Sequence, residues 1–175
     1  MSISMHSASA PLFLRALENM LAWLDKAEDY AKTRGFDPDN YLGLRLAPDM
    51  MPLSRQIQIT TDGAKNCVAR LSGAEPPSWA DDEDTLDALR GRIRKAIDYV
   101  GSIPASDLDG TEDHEIIMPA GPDHTITFPG QSFLTGFSLP NFFFHVSMTY
   151  ALLRQAGVEL GKMDYLGALD IKDNK

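Results

Sequence analysis

Cysteine, basic charge and long apolar runs are all scarce in this chain, and each scarcity excludes a class of protein. The 175 residues include one cysteine, Cys67, so no intrachain disulfide framework can hold the fold. Sixteen lysines and arginines stand against 25 aspartates and glutamates, which gives a formal net charge of −9. Because that charge repels phosphate backbones and anionic lipid, we expect no nucleic-acid partner and no membrane partner.

Apolar runs long enough to cross a bilayer are missing. The longest apolar cluster is Phe142–Phe144, far below the roughly 20 residues that a spanning helix needs. The N-terminal sequence lacks the basic, apolar and small-residue regions of a signal peptide, so we expect a reducing, cytoplasmic location. A chain of this length is most simply one domain, residues 1–175.

Four segments show the apolar spacing of three and four residues that indicates amphipathic helices. The stripes run over residues 13–31, 50–71, 86–103 and 142–156. Gly35 is the expected end of the first helix. The link from Gly35 to Ala47 is long enough for a crossover between the first two helices.

Between the third and fourth helical segments the pattern changes to that of short strands. Glu115–Met118 and His124–Phe128 flank a turn rich in proline and glycine, which predicts a β-hairpin. The sequence therefore predicts an all-α fold, a four-helix bundle with a small β-hairpin between the third and fourth helices.

Two charged stretches have simple explanations at this level. The acidic run Asp81–Asp84 precedes the third helix, where negative charge complements the helix dipole. The basic stretch Arg90–Lys95 is predicted to form a solvated helix face. Neither stretch requires a functional role.

Polar residues beside the apolar stripes are the candidates for a site, because bundles build sites from side chains that project inward. His145 borders the stripe of the fourth helix, and it can act as a catalytic base near neutral pH. Tyr150 and Arg154 are spaced by four on the same helix, and Asp49 and Gln56 by seven on the second. We expect these five residues to converge on a polar pocket that binds a small molecule.

Simpler interpretations of the same residues remain open. His145 fits a core histidine bonded to a neighbouring side chain, and Asp49 fits a residue that satisfies free amides at a helix start. Arg154 lies near a helix C-terminus, where a cation is favoured. Cys67 falls on an inward stripe, which favours a packing role over a reactive thiol.

A metal centre would need three protein ligands, commonly histidine or carboxylate. The chain has four histidines, and none of the other three lies on a bundle stripe with His145. No cofactor is predicted; a divalent metal, if present, would use His145 with Gln56 or Asp49. Oxygen ligands of that kind suit harder cations better than zinc.

Several motifs together resemble a known family. They are LAPDMMPL at residues 46–53, PNFFFH at 140–145, YALLR at 150–154 and GKMDYLG at 161–167. In this order, over essentially the whole chain, they resemble a bacterial family of domains of unknown function. That family is grouped with the DinB/YfiT-like candidate metalloenzymes. The resemblance implies a four-helix bundle and a homodimer.

The resemblance also implies where a metal would bind. Metal-binding members of the superfamily carry one histidine on the second helix and an HxxxH pair on the last. Here His145 corresponds to one member of the pair, Thr149 stands at the other place, and Gln56 is the nearest counterpart on the second helix. The three-histidine site is therefore incomplete.

Three functions remain as expectations from the sequence. The first is a DinB-like protein that binds a small molecule in a polar pocket of the bundle. The second is a metal-dependent transferase or hydrolase that acts on a thiol cofactor. The third is a non-catalytic dimeric structural or interaction protein.

Overall fold

A computed structural model describes residues 3–169; residues 1–2 and 170–175 of the predicted domain lie outside the described part. The long helices are α1 (Ala10–Arg34), α2 (Leu53–Leu71), α3 (Leu86–Ser102) and α6 (Leu139–Gln155). The short helices are α4 (Ala105–Leu108), α5 (Gly130–Ser132) and α7 (Lys162–Leu166), and the strands are β1 (Glu115–Pro119) and β2 (Thr125–Pro129). A 3-10 helix covers Pro38–Tyr41, and a π-helical segment covers Phe133–Ser138.

The four long helices form a bundle around one apolar core. Helix α2 packs between α3 and α6, and α1 closes the ring against both of these neighbours. The rings of Phe13 and Phe142 meet edge to face, 4.7 Å apart, inside the bundle. The predicted four-helix bundle is confirmed. None of the helices within residues 3–169 is long and apolar enough to cross a membrane.

The hairpin between α3 and α6 is confirmed as well. Its antiparallel register pairs Ile116 with Phe128 and Met118 with Ile126, so these four side chains share one face of the ribbon. Ile116 on that face is buried, and the Phe128 ring lies 6.1 Å from the Phe133 ring. Contact with the helices stabilises a two-stranded ribbon that would be marginal alone.

Helix α2 begins three residues later than its apolar stripe suggested, and this overturns one expectation. Pro52 has the extended backbone angles φ −70° and ψ 168°, and a residue before proline disfavours the helical region, which keeps Met51 out of the helix. Asp49 therefore lies in an exposed turn before α2. The prediction that Asp49 and Gln56 share a face of one helix is wrong.

The prediction that Arg90–Lys95 form a solvated face of α3 is wrong at two positions. Arg90 and Arg92 are buried, at 7% and 4% exposure. Arg90 donates hydrogen bonds to Asp25 and Glu28 of α1, and so joins these two helices. Arg92 lies three residues after Leu89 and four before Ala96, on the apolar face of α3, where its charge needs partners.

The partners of Arg92 come from α2 and from residues 72–85, the segment between α2 and α3 that we call the acidic strap. The Arg92 guanidinium lies 3.0 Å from Asp81, 2.9 Å from Glu83 and 3.1 Å from Asp62. Its Nε donates to the hydroxyl of Thr61. The acidic run thus neutralises a buried cation, in addition to preceding the α3 N-terminus.

Candidate functional site

The candidate site centres on a hydrogen bond between the two helices that pack most closely. His145 projects from α6 and Gln56 from α2, and the His145 Nδ1 lies 2.7 Å from the Gln56 Oε1. Gln56 is 2% exposed, whereas His145 is half-buried. These are the two residues that the sequence predicted to lie together, with Gln56 at the position of a second-helix histidine.

The surroundings of Gln56 determine the protonation of His145. The Gln56 amide nitrogen donates a 3.0 Å hydrogen bond to the carbonyl of Met51, and a carbonyl can only accept. The amide oxygen must then face His145, so the Nδ1 of the imidazole carries the proton and donates it. In the neutral ring this leaves the lone pair on Nε2.

The Nε2 of His145 is not completely enclosed by the protein. This nitrogen has no hydrogen-bond partner within residues 3–169. It is also not one of the fully buried side-chain atoms that lack a partner in those residues. Burial lowers the pKa of His145 below its usual 6.5, so the ring is neutral at physiological pH. The half-exposed ring of Phe144 stands edge-on to the imidazole at 5.1 Å and forms an apolar rim.

A metal ion does not fit the residues around His145. Thr149 is buried, and its hydroxyl donates to the backbone carbonyl of His145 within the same helix, so it is not directed at Nε2. The Gln56 oxygen is already engaged by Nδ1. Across residues 3–169, no three histidine, cysteine, aspartate or glutamate side chains are grouped to hold a metal ion.

Tyr150 lies away from this pair, contrary to the prediction of a shared pocket. It follows His145 by five residues, about 140° around the helix, and its ring packs edge-on to Trp23 and Tyr165 at 5.5 and 5.8 Å. The Tyr150 hydroxyl donates to the carbonyl of Leu160. Tyr150 therefore joins the segment after α6, at Leu160 and Tyr165, to Trp23 of α1.

Arg154 and Asp49 also lie elsewhere. Arg154 is nine residues after His145, on the opposite side of α6, and donates to the Val158 carbonyl just beyond the helix. Asp49 is exposed in the turn before α2. Of the five expected residues, the structure brings together only His145 and Gln56.

Two further features complete the description of reactive groups. Burial raises the pKa of the Cys67 thiol to about 12, so this cysteine stays protonated and unreactive. The Met51 carbonyl, which orients Gln56, was not predicted from the sequence. Its signal was present in Pro52, which holds Met51 outside the helix.

Changing the partner of His145 should reverse the direction of its pKa shift. We expect Gln56→Glu to raise the pKa of His145 above 6.5, because a carboxylate beside Nδ1 stabilises the imidazolium. In the wild type, stability falls as the pH drops below 6.5 towards the lowered pKa of the folded state. In the variant, the histidine contribution is present at low pH and is lost as the pH rises through the new pKa.

The measurement is an NMR titration of the His145 ring protons, with Gln56→Leu as the control. The leucine variant removes the acceptor without adding charge, so its His145 should keep a pKa below 6.5. A glutamate variant with an unmoved or lower pKa would show that residue 56 does not contact the ring.

The fold is that of a DinB-like helical bundle, and the site is the Gln56–His145 pair between α2 and α6. The chain belongs to the family described as a domain of unknown function, DUF1993, whose model matches residues 5–166. It is similar to a solved structure of a DinB family member from Shewanella denitrificans, at 37% identity and a TM-score of 0.88. That match covers 97% of this chain and 95% of the other. No curated protein matches the chain.

Proposed function

We propose that this protein binds a small molecule at the surface around His145, between α2 and α6, and that His145 Nε2 receives a hydrogen bond or a proton from it. One observation carries the proposal: Gln56 fixes the imidazole as the Nδ1-protonated tautomer, and the Nε2 lone pair has no partner within residues 3–169. A neutral imidazole held in this tautomer offers Nε2 as a hydrogen-bond acceptor.

The surroundings favour a molecule with both a polar and an apolar part. The side chains of Phe144 and Met51 are about half-exposed, at 50% and 53%, and both belong to residues next to the pair or bonded to it. A hydrogen-bond donor beside an apolar group would meet Nε2 and this rim together. The cavity beside α1 that is lined by Lys26, Tyr30 and Glu159 does not include His145.

An enzymatic version of this proposal uses His145 as a general base. A neutral imidazole with a pKa below 6.5 can accept a proton at physiological pH, and Gln56 would hold the ring in place. The alternative of a metal-dependent transferase or hydrolase acting on a thiol cofactor has weaker support, because Thr149 and Gln56 do not present ligands to Nε2.

A thermal-shift screen tests the proposal. We expect at least one member of a panel of thiols and small polar metabolites to raise the melting temperature of the wild type and not that of His145→Ala. His124→Ala is the matched control, since His124 is exposed on the hairpin and contributes nothing to this surface.

The same proteins should be analysed for bound metal after purification without a histidine tag. Stoichiometric zinc, nickel or manganese that disappears in His145→Ala would contradict the non-metal account and favour the transferase or hydrolase. If no compound distinguishes the wild type from His145→Ala, the third function, a structural or interaction role, is the better one.

We also propose a cytoplasmic homodimer, as the family resemblance implied. The single cysteine among the 175 residues fits a reducing compartment. Exposed apolar side chains such as Phe144 and Met51 would be covered in a dimer or by a ligand.

A further inference from the structure

A cavity lies along the same two helices as His145 without including that residue, and no part of the proposed function uses it. It has a volume of about 200 Å³ and lies between α2, β1 and the start of α6. Met118, Phe133 and Phe137 provide apolar walls, and Asn66, Arg70 and Asn141 provide polar ones. Its volume is below the usual range for drug-sized ligands, which points to a small metabolite.

The π-helical segment explains how the aromatic wall forms. In a π-helix the hydrogen bonds span five residues, so residues four and five apart share one side of the wider turn. Phe133, Phe137 and Ser138 have that spacing, and all three line the cavity. The rings of Phe133 and Phe137 stack 6.0 Å apart.

The polar side of the cavity has unused hydrogen-bonding capacity. The side chains of Asn66, Arg70 and Asn141 are half-buried, and within residues 3–169 they make no hydrogen bond or ion pair. Asn66 and Arg70 are four residues apart and so lie on one face of α2. Burial lowers the pKa of Arg70, and the nearby Glu75 carboxylate, which makes no ion pair with it, offsets only part of that effect.

The carboxylate of Asp62, at the cavity edge, is already neutralised by two cations and so does not prevent an anionic ligand from binding. Asp62 lines the cavity, but its carboxylate lies 2.8 Å from the Lys65 ammonium and 3.1 Å from the Arg92 guanidinium. Arg70 is the cation among the lining residues of the cavity, and Glu75, whose charge acts on it, is not one of those residues. Guanidinium groups bind carboxylates through two parallel hydrogen bonds.

We propose that this cavity binds a small carboxylate with an apolar body. Arg70 takes the carboxylate, Asn66 and Asn141 hydrogen-bond to it, and the apolar body packs against Phe133, Phe137 and Met118. Gly63 lines the cavity beside Asn141, at a position where a Cβ would lie 3.9 Å from the Asn141 amide. The site is independent of His145, which is not among its lining residues.

An NMR titration of the full chain with phenylacetate tests this proposal. We expect saturable shifts of the Asn66 and Asn141 side-chain amides and of the Gly63 amide, and none with the neutral analogue phenylacetamide. Arg70→Met should weaken phenylacetate binding about tenfold or more, as loss of a charge-assisted hydrogen bond predicts.

Two control variants separate this site from the rest of the molecule. Arg94→Met removes an exposed arginine of α3, and His145→Ala removes the centre of the proposed function; both should bind phenylacetate as the wild type does. The proposal is overturned if phenylacetate gives no saturable shifts, or if it binds Arg70→Met as tightly as the wild type. Loss of binding in His145→Ala would overturn the independence of the two sites.

Discussion

Arg92→Met is expected to lower the free energy of unfolding by about 3 kcal/mol, because it removes the buried cation that Asp62, Asp81 and Glu83 share. The Arg92 side chain is 1% exposed and pairs with Asp62, Asp81 and Glu83, which are 31%, 37% and 13% exposed. The partial exposure of the carboxylates allows some hydration after the change. We therefore expect the lower end of the usual range for breaking a buried ion pair.

Urea denaturation followed by tryptophan fluorescence measures this effect, and hydrogen exchange locates it. Because Arg92 also donates to the Ala80 carbonyl, the amides of the acidic strap should exchange faster in the variant. Arg94→Met, at an exposed position of the same helix, should change stability by less than about 0.5 kcal/mol. Equal effects at positions 92 and 94 would contradict the role given to the buried network.

Gly130→Ala is expected to destabilise the protein by about 3 kcal/mol, at the upper end of the range for overpacking. A Cβ on Gly130 would lie 2.1 Å from the backbone oxygen of Thr111, and backbone cannot move aside as a flexible side chain can. The start of α5 therefore packs directly against the segment before the hairpin. A hydrogen bond holds the two together, since the Gln131 amide donates to the Glu112 carbonyl at 2.8 Å.

Gly91→Ala is the matched control for this prediction. Gly91 is exposed within α3, and a Cβ there meets nothing within 4 Å. Alanine should therefore stabilise the helix by about 0.5–1 kcal/mol. The two glycine variants should move the urea midpoint in opposite directions, and a shared direction would contradict the close packing at Gly130.

The fold was predictable because burial dictates the spacing of apolar residues. The stripes of α1 and α3 and the alternation in β2 mark their elements directly. The exceptions depend on partners distant in sequence. Arg92 is buried because residues 72–85 bring acidic side chains to it, and the π-helical turn at Phe133–Ser138 is set by packing against α2 and the hairpin.

Of the candidate site, only the contact between Gln56 and His145 could be predicted from the sequence. Gln56 and His145 occupy apolar stripes on helices that pack together, so their contact follows from the bundle. Tyr150 and Arg154 were grouped with them by spacing on one helix, although positions five and nine residues away point in other directions. The tautomer of His145 depends on the Met51 carbonyl, whose direction only the three-dimensional structure gives.

The tautomer of His145 is the central claim, since the proposed binding surface depends on a free Nε2. Long-range proton–nitrogen NMR of the ¹⁵N-labelled protein at neutral pH measures it directly, with His145→Gln to assign the signals. Our account predicts a protonated Nδ1 and an unprotonated Nε2. A proton on Nε2, or a doubly protonated ring at neutral pH, would contradict it.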